Sequence, residues 1–239
     1  MKKTNGNGKG ESRPSKGAFD EKMSTELYLI RHGQSEGNLH HLFLGHSNRP
    51  LTPTGHRQAE LAAKFLVGKK PDVLYISDLG RTVETAQHTA DLTGLPLILT
   101  EKMREIDAGE WEGRPFEDLF AAYPEETRMW WEETGLARPT GGESVAELQE
   151  RIMKELSRIA EENPHKTVCV FTHFTPIYAV KTALAGVPLS EMKHQPKPGN
   201  ASITHLIYEN GAFQLKEYSR NDFLGEMMTD LESPAIYKK

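Results

Sequence analysis

A capped amphipathic helix that runs directly into an apolar strand leaves this chain few architectures. Ser144 and Glu147 form a capping box, and Val145, Leu148, Ile152, Leu156 and Ile159 recur at spacings of three and four. Asn163-Pro164 ends that helix. The segment that follows, Val168 to Thr172, is apolar with almost no alternation. A strand of that kind is buried on both faces, so its sheet must carry helices on both sides. Upstream the same alternation recurs. Glu26 to Ile30 reads as a strand, Thr52-Pro53 as the N-cap and first position of a helix through about Val67, and Val73 to Ser77 as a second strand. A helix through about Leu92, closed by Gly94, precedes a strand at Leu97–Leu99. Downstream, a helix is expected over Pro176–Ala185. Two strands, Ser202–Tyr208 and Phe213–Tyr218, flank the hairpin turn Glu209-Asn210-Gly211. The fold expected is a three-layer α/β/α sandwich with a mainly parallel, mixed sheet.

Residues 101–143 interrupt this alternation and hold Trp111, Trp130 and Trp131 with Phe116, Phe120, Tyr123 and Met129. They are expected to form a helical cap whose aromatics mainly pack it onto the domain. Residues 1–22 are rich in Lys, Gly, Ser and Asn and too poor in apolar side chains to offset chain entropy, so a disordered tail is expected, with the domain spanning 23–239. The net charge of −5 provides no general attraction to nucleic acid. No stretch reaches the roughly 20 apolar residues of a membrane span. The single cysteine, Cys169, lies inside the apolar run and reads as a buried thiol, consistent with a reducing, cytoplasmic setting.

Ligands of such sheets bind beyond the carboxyl ends of the strands. Arg31 and His32 follow the first strand, Ser77 to Arg81 the second, and His173 the strand after the capped helix. Polar residues from distant segments therefore converge on one sheet edge. Arg81 falls in a helix's first turn, where the dipole disfavours a cation, so an anion nearby would account for it. His40, His41 and His46 cluster without zinc-ligand spacing and are read as solvated or rim residues; Glu84 is read as surface charge.

Arg31-His32-Gly33 after an apolar strand resembles the signature of the histidine phosphatase superfamily, the phosphoglycerate mutase-like enzymes. The resemblance continues through Gly45 to Gly55, with Pro50-Leu51-Thr52, through Ser77 to Thr82, through Arg104 to Gly113, and through Gly142-Glu143-Ser144 and Thr172-His173, covering about residues 25–225. It implies a phosphomonoester hydrolase of the histidine acid type, with no cofactor and no metal, acting on a small phosphorylated metabolite through a phosphohistidine on His32. On the same resemblance Arg31 and Arg81 clamp the phosphoryl oxygens, His173 donates to them, and Glu105 is the general acid, with Asp107 as rival. Asn38, Gln34, Ser35 and Gly45 are expected to contact substrate, helped by free amides at a helix start near Ser35. The Gly109-Glu110-Trp111-Glu112-Gly113 run resembles the phosphatase branch, including α-ribazole phosphate phosphatases. A mutase that returns the phosphoryl group to another hydroxyl, and a phospho-ligand binding module without turnover, are the alternatives. Phe174 departs from the small residue common after the second histidine, which implies altered backbone donors there. No nucleic-acid or membrane partner is expected; a homodimer is compatible with the sequence.

Overall fold

The computed structural model describes Met1 and residues 24–229; the expected N-terminal tail lies outside the described residues. Six strands form one sheet in the order β3-β2-β4-β1-β5-β6. These are β1 (Ser24–Arg31), β2 (Val73–Ile76), β3 (Leu97–Leu99), β4 (Thr167–Thr172), β5 (Ile203–Glu209) and β6 (Ala212–Arg220). β1, β2, β3 and β4 run parallel, whereas β5 and β6 add an antiparallel hairpin beside β1. Asn210 and Gly211 turn that hairpin with φ of 53° and 78°, the pair of positive values a two-residue type I′ turn requires.

The central strands are buried on both faces, as their unbroken apolar runs predict. Leu27 and Leu29 of β1 and Val168 and Val170 of β4 share one core with Val145, Leu148, Ile152, Leu156 and Ile177. Their alternates, Tyr28, Ile30, Cys169 and Phe171, share another with Leu66, Leu74, Ile76 and Ala86. The period-two alternation of a strand thus divides one sequence between two helical layers. One layer is α2 (Pro53–Val67) with α3 (Gly80–Thr93); the other is α6 (Val145–Glu162) with α7 (Phe174–Leu184). α1 (Glu36–Leu39) is a single turn.

The caps read from sequence form as expected. The Thr52 hydroxyl accepts from the Gly55 amide at 3.0 Å, and Gly94 closes α3 with φ 72°. Ser144 and Glu147 exchange side-chain and backbone hydrogen bonds at the head of α6. α7 starts two residues before the expected Pro176, because the first helical positions lack N–H partners in any case and tolerate proline. The 101–143 segment carries α4 (Phe116–Ala122) and α5 (Pro124–Glu132) with three short 3₁₀ turns. Among the described residues no helix is long and apolar enough to cross a membrane.

Candidate active site

β1, β4 and β2 are neighbours, so the residues that follow their carboxyl ends emerge side by side. Arg31 is the last residue of β1; its backbone N–H donates to Ser202, and the next amide, His32, donates to the Thr172 carbonyl at the end of β4. Both rings that follow these strands, His32 and His173, are buried and meet edge to face with centroids 5.3 Å apart. Gly33 is required at this turn. A Cβ on it would stand 2.5 Å from the Gly55 carbonyl oxygen, and a Cβ on Gly55 would overlap the Gln34 carbonyl.

His32 is held in one tautomer. Its Nδ1 lies 2.7 Å from the Gly33 carbonyl oxygen. A carbonyl only accepts, so Nδ1 carries the hydrogen and Nε2 keeps its lone pair. Burial, then Arg81 and Arg31, hold the imidazole pKa well below its ordinary value, so the ring is neutral. The Arg81 Nε–H donates to that Nε2 at 3.3 Å. The remainder of the Arg81 guanidinium is fixed by carbonyls, Nη1 to Ser47 at 3.0 Å and Nη2 to Gly45 at 2.9 Å.

This changes the expectation for Gly45. It does not line the pocket; its carbonyl orients Arg81 from behind, and any Cβ there would strike the Glu112 carboxylate and the Ile106 carbonyl. Glu112 secures the loop. Its Oε1 accepts from the His46 amide at 2.6 Å, and its Oε2 from the Ser47 amide at 2.9 Å. Sequence reasoning gave Glu112 no role beyond its motif. Only its place in the Gly-Glu-Trp-Glu-Gly run marked it.

Arg31 donates from Nη1 to the Pro198 carbonyl at 2.9 Å, and its guanidinium lies 5.1 Å from the Phe174 ring centre. Burial lowers the pKa of Arg31 and Arg81 to about 10, opposed by the nearby Glu105 carboxylate; both remain cations at neutral pH. The His173 Nε2 pairs with the Ser77 hydroxyl at 2.8 Å. Its Nδ1 and the Nε of Arg31 are buried without a partner among the described residues. Buried polar groups are seldom left so. When the Ser77 hydroxyl donates to Nε2, His173 Nδ1 carries a hydrogen, and with the Arg31 Nε–H it offers two donors that suit an anion with several acceptor oxygens.

Glu105 is buried, its Oε1 accepting from the Ile106 amide at 2.8 Å and its Oε2 from the Thr175 amide at 3.2 Å. The first turn of α7, where Phe174 departs from the usual small residue, thus spends a backbone donor on Glu105. Asp107 lies elsewhere. It is exposed, accepts from the Gly109 amide, and borders a separate groove with Arg104 and Glu143. Glu105 lines the pocket with His32, and Asp107 does not.

Gln34, Ser35 and Asn38 all line the pocket. The free amides expected near Ser35 are taken, however. Gly33 N–H donates to Thr85, Gln34 to Gln58, Ser35 to the Asn38 side chain, Glu36 to Pro50 and Asn38 to the Ser35 hydroxyl. At the head of α1 the Asn38 amide is used by the capping box and the Glu36 amide by Pro50, so this helix start offers no anion cradle. Glu84 is also more than surface charge, since its Oε2 accepts from the Leu51 amide at 2.8 Å. Asn200 was not singled out by sequence; its Nδ2 donates to the His32 carbonyl at 3.3 Å and to Asn38 Oδ1 at 3.2 Å.

The pocket encloses about 200 Å³ and has a second, aromatic side. Trp111 is core, with 1 % of its surface exposed. Phe116, Trp130, Trp131 and Phe174 are half-buried and form the outer wall. The cap aromatics expected to act mainly as packing are therefore divided between core and pocket. Phe43 joins the two groups, edge to face with Trp111 at 5.2 Å and with Trp130 at 4.9 Å.

Residues 27–221 match the model of the histidine phosphatase superfamily (branch 1). Phosphoserine phosphatase 1 of Hydrogenobacter thermophilus is 36% identical over 166 residues, covering 70% of this chain and 79% of that protein. A 2,3-bisphosphoglycerate-dependent phosphoglycerate mutase of Brucella melitensis is 32% identical over 204 residues, covering 82% and 98%. The solved structure of Bacillus stearothermophilus YhfR superposes with a TM-score of 0.81 at 26% identity, covering 84% of this chain and 99% of that one. The chain belongs to the histidine phosphatase superfamily, and its phosphatase relatives support phosphoester hydrolysis as its chemistry.

Proposed function

We propose that the protein is a metal-independent phosphomonoester hydrolase that acts on small phosphorylated metabolites through a phosphohistidine at His32. The observation that carries this reading is the neutral, tautomer-fixed His32, whose Nε2 lone pair faces a guanidinium. A phosphate monoester needs an in-line nucleophile, cations on its non-bridging oxygens, and a proton for the leaving oxygen. The entering phosphoryl group takes over the Arg81 Nε–H, while Arg31 Nε and His173 Nδ1 gain acceptors. The Nε2–P bond forms as the ester P–O bond breaks, and Glu105 relays a proton brought in by the phosphate monoester monoanion to the departing alcohol oxygen. Water then attacks phosphorus, Glu105 takes a proton from it, and the P–N bond returns its electrons to His32. The two guanidiniums supply the positive charge throughout.

The name of the Hydrogenobacter relative, a phosphoserine phosphatase, supports a small phosphorylated metabolite as substrate class. The Brucella relative, named as a mutase, gives a second reading in which the phosphohistidine returns its phosphoryl group to a hydroxyl. Free phosphate measured against isomer exchange on phosphoglycerate separates the two. The deciding experiment is an acid quench with labelled substrate. An acid-labile phosphoenzyme is expected in the wild type and absent in His32→Ala, with kcat lowered at least about ten-thousand-fold and the circular dichroism spectrum unchanged. Near wild-type turnover by His32→Ala would overturn the assignment, and a requirement for added divalent metal would overturn metal independence.

A further inference from the structure

One cation of the pocket is unused by the chemistry above. Lys197 lines the same cavity as His32, on the aromatic side, with its Nζ 5.9 Å from the Trp131 ring centre. Although the residue as a whole is exposed, its surroundings desolvate the ammonium enough to lower its pKa. An acidic partner would raise it instead.

The backbone around Lys197 is held firmly. Pro196 and Pro198 flank it, and proline fixes φ. The Pro196 carbonyl accepts from the Tyr218 hydroxyl at 2.7 Å, and the Pro198 carbonyl accepts from Arg31 at 2.9 Å. The Gly199 amide donates to the Ser219 hydroxyl at 3.1 Å. Lys197 is thus one residue from the carbonyl that anchors an arginine at the phosphate end, so its backbone is set relative to that end. Glu105, the carboxylate that lines the cavity, is engaged by the Ile106 and Thr175 amides.

We propose that Lys197 selects phosphomonoesters whose alcohol carries a carboxylate, with the apolar body of that alcohol lying along Phe116, Trp130 and Trp131. The inference rests on the hydrolase reading of the same site. A single ammonium is a point charge with no guanidinium fork, which suits a monoanionic carboxylate. The dianionic phosphate is matched by the paired arginines at the other end.

The test compares kcat/KM for para-carboxyphenyl phosphate and phenyl phosphate in the wild type, Lys197→Gln and Lys197→Arg. The ratio within each protein cancels any general loss of activity, and comparing that ratio between proteins cancels the difference in leaving group. The ratio should fall about tenfold in Lys197→Gln, the size of one lost charge-assisted contact, and recover in Lys197→Arg. An unchanged ratio in Lys197→Gln would overturn the proposal and leave Lys197 a solvated rim residue. Should wild-type enzyme turn over neither ester, the hydrolase reading fails by itself. Calorimetric binding of para-carboxyphenyl phosphate then decides the Lys197 assignment: weaker binding to Lys197→Gln supports it and equal binding overturns it.

Discussion

At the strand-end side of the pocket, Arg31, His32, Arg81 and Glu105 are 2, 4, 1 and 6 % exposed, and each is held by hydrogen bonds to backbone or neighbouring side chains. At the cap side, Phe116, Trp130 and Trp131 are half-buried and rest on ring contacts, with Phe43 as the hinge between cap and core. The two sides meet different physical demands. Moving a phosphoryl group requires donors and a lone pair fixed to within fractions of an ångström, which directional hydrogen bonds from several strand ends supply. Recognising an alcohol requires a shaped apolar surface, and dispersion between rings is tolerant of small shifts. One fold can therefore keep its reaction while its cap is altered for a new substrate.

The sharpest way to test that division is to damage the chemical side without emptying it. Glu105→Gln should lower kcat about a hundred- to a thousand-fold for alkyl phosphates, whose leaving oxygens need a proton, and far less for nitrophenyl phosphate. An equal loss on both, measured by initial rates, would move the acid role to another group. Glu112→Gln probes the support behind Arg81. It keeps an acceptor but loses the charge that draws in the His46 and Ser47 amides, so kcat should fall about tenfold while KM changes little. A change confined to KM would mean that Glu112 shapes binding instead of holding Arg81.

The cap side should respond differently. Trp130→Ala removes a half-buried ring and should lower kcat/KM for aryl phosphates by about three- to tenfold. Competitive inhibition by inorganic phosphate should stay within about threefold, and a large loss of phosphate affinity would show that the two sides are not separable. The smallest effect expected is on stability. His32 and His173 are held well below the ordinary value of 6.5 by burial first and by the neighbouring arginines next. Below that pH the unfolded chain takes up protons that the folded protein refuses. Their contribution is therefore complete above about 6.5 and is lost as pH falls toward the folded-state pKa values. Tm should drop by a few degrees between about pH 7 and about pH 5.5, less so in His173→Gln. Identical slopes for the two proteins would remove His173 as a source.

Much of this molecule is legible in its sequence. Capping residues, the unbroken apolar run of β4 and the Asn-Gly turn depend on neighbours within a few positions, and so the helices, the doubly covered sheet and the hairpin could be read locally. The same holds for the convergence of Arg31, His32, Arg81 and His173, because the carboxyl ends of adjacent parallel strands share one edge. Proline misled the reading of α7, whose start it does not mark, and the amides expected to greet an anion near Ser35 are taken by Thr85, Gln58, Pro50 and the capping box.

Only the tertiary structure decided the rest. That Trp111 is core while Trp130 and Trp131 face the pocket follows from where the cap folds, and no local spacing distinguishes three tryptophans in one aromatic segment. Glu112 reaches Ser47 across a sequence separation of 65, and Arg31 reaches Pro198 across 167. Contacts between residues so far apart have no local signature, since their partners are brought together by the packing of the whole sheet. The sequence alone determined the kind of chemistry the strand ends could hold, through residue types and caps that act locally. The cap, the support behind Arg81 and the cation at Lys197 were settled by long-range packing, which only the folded chain contains.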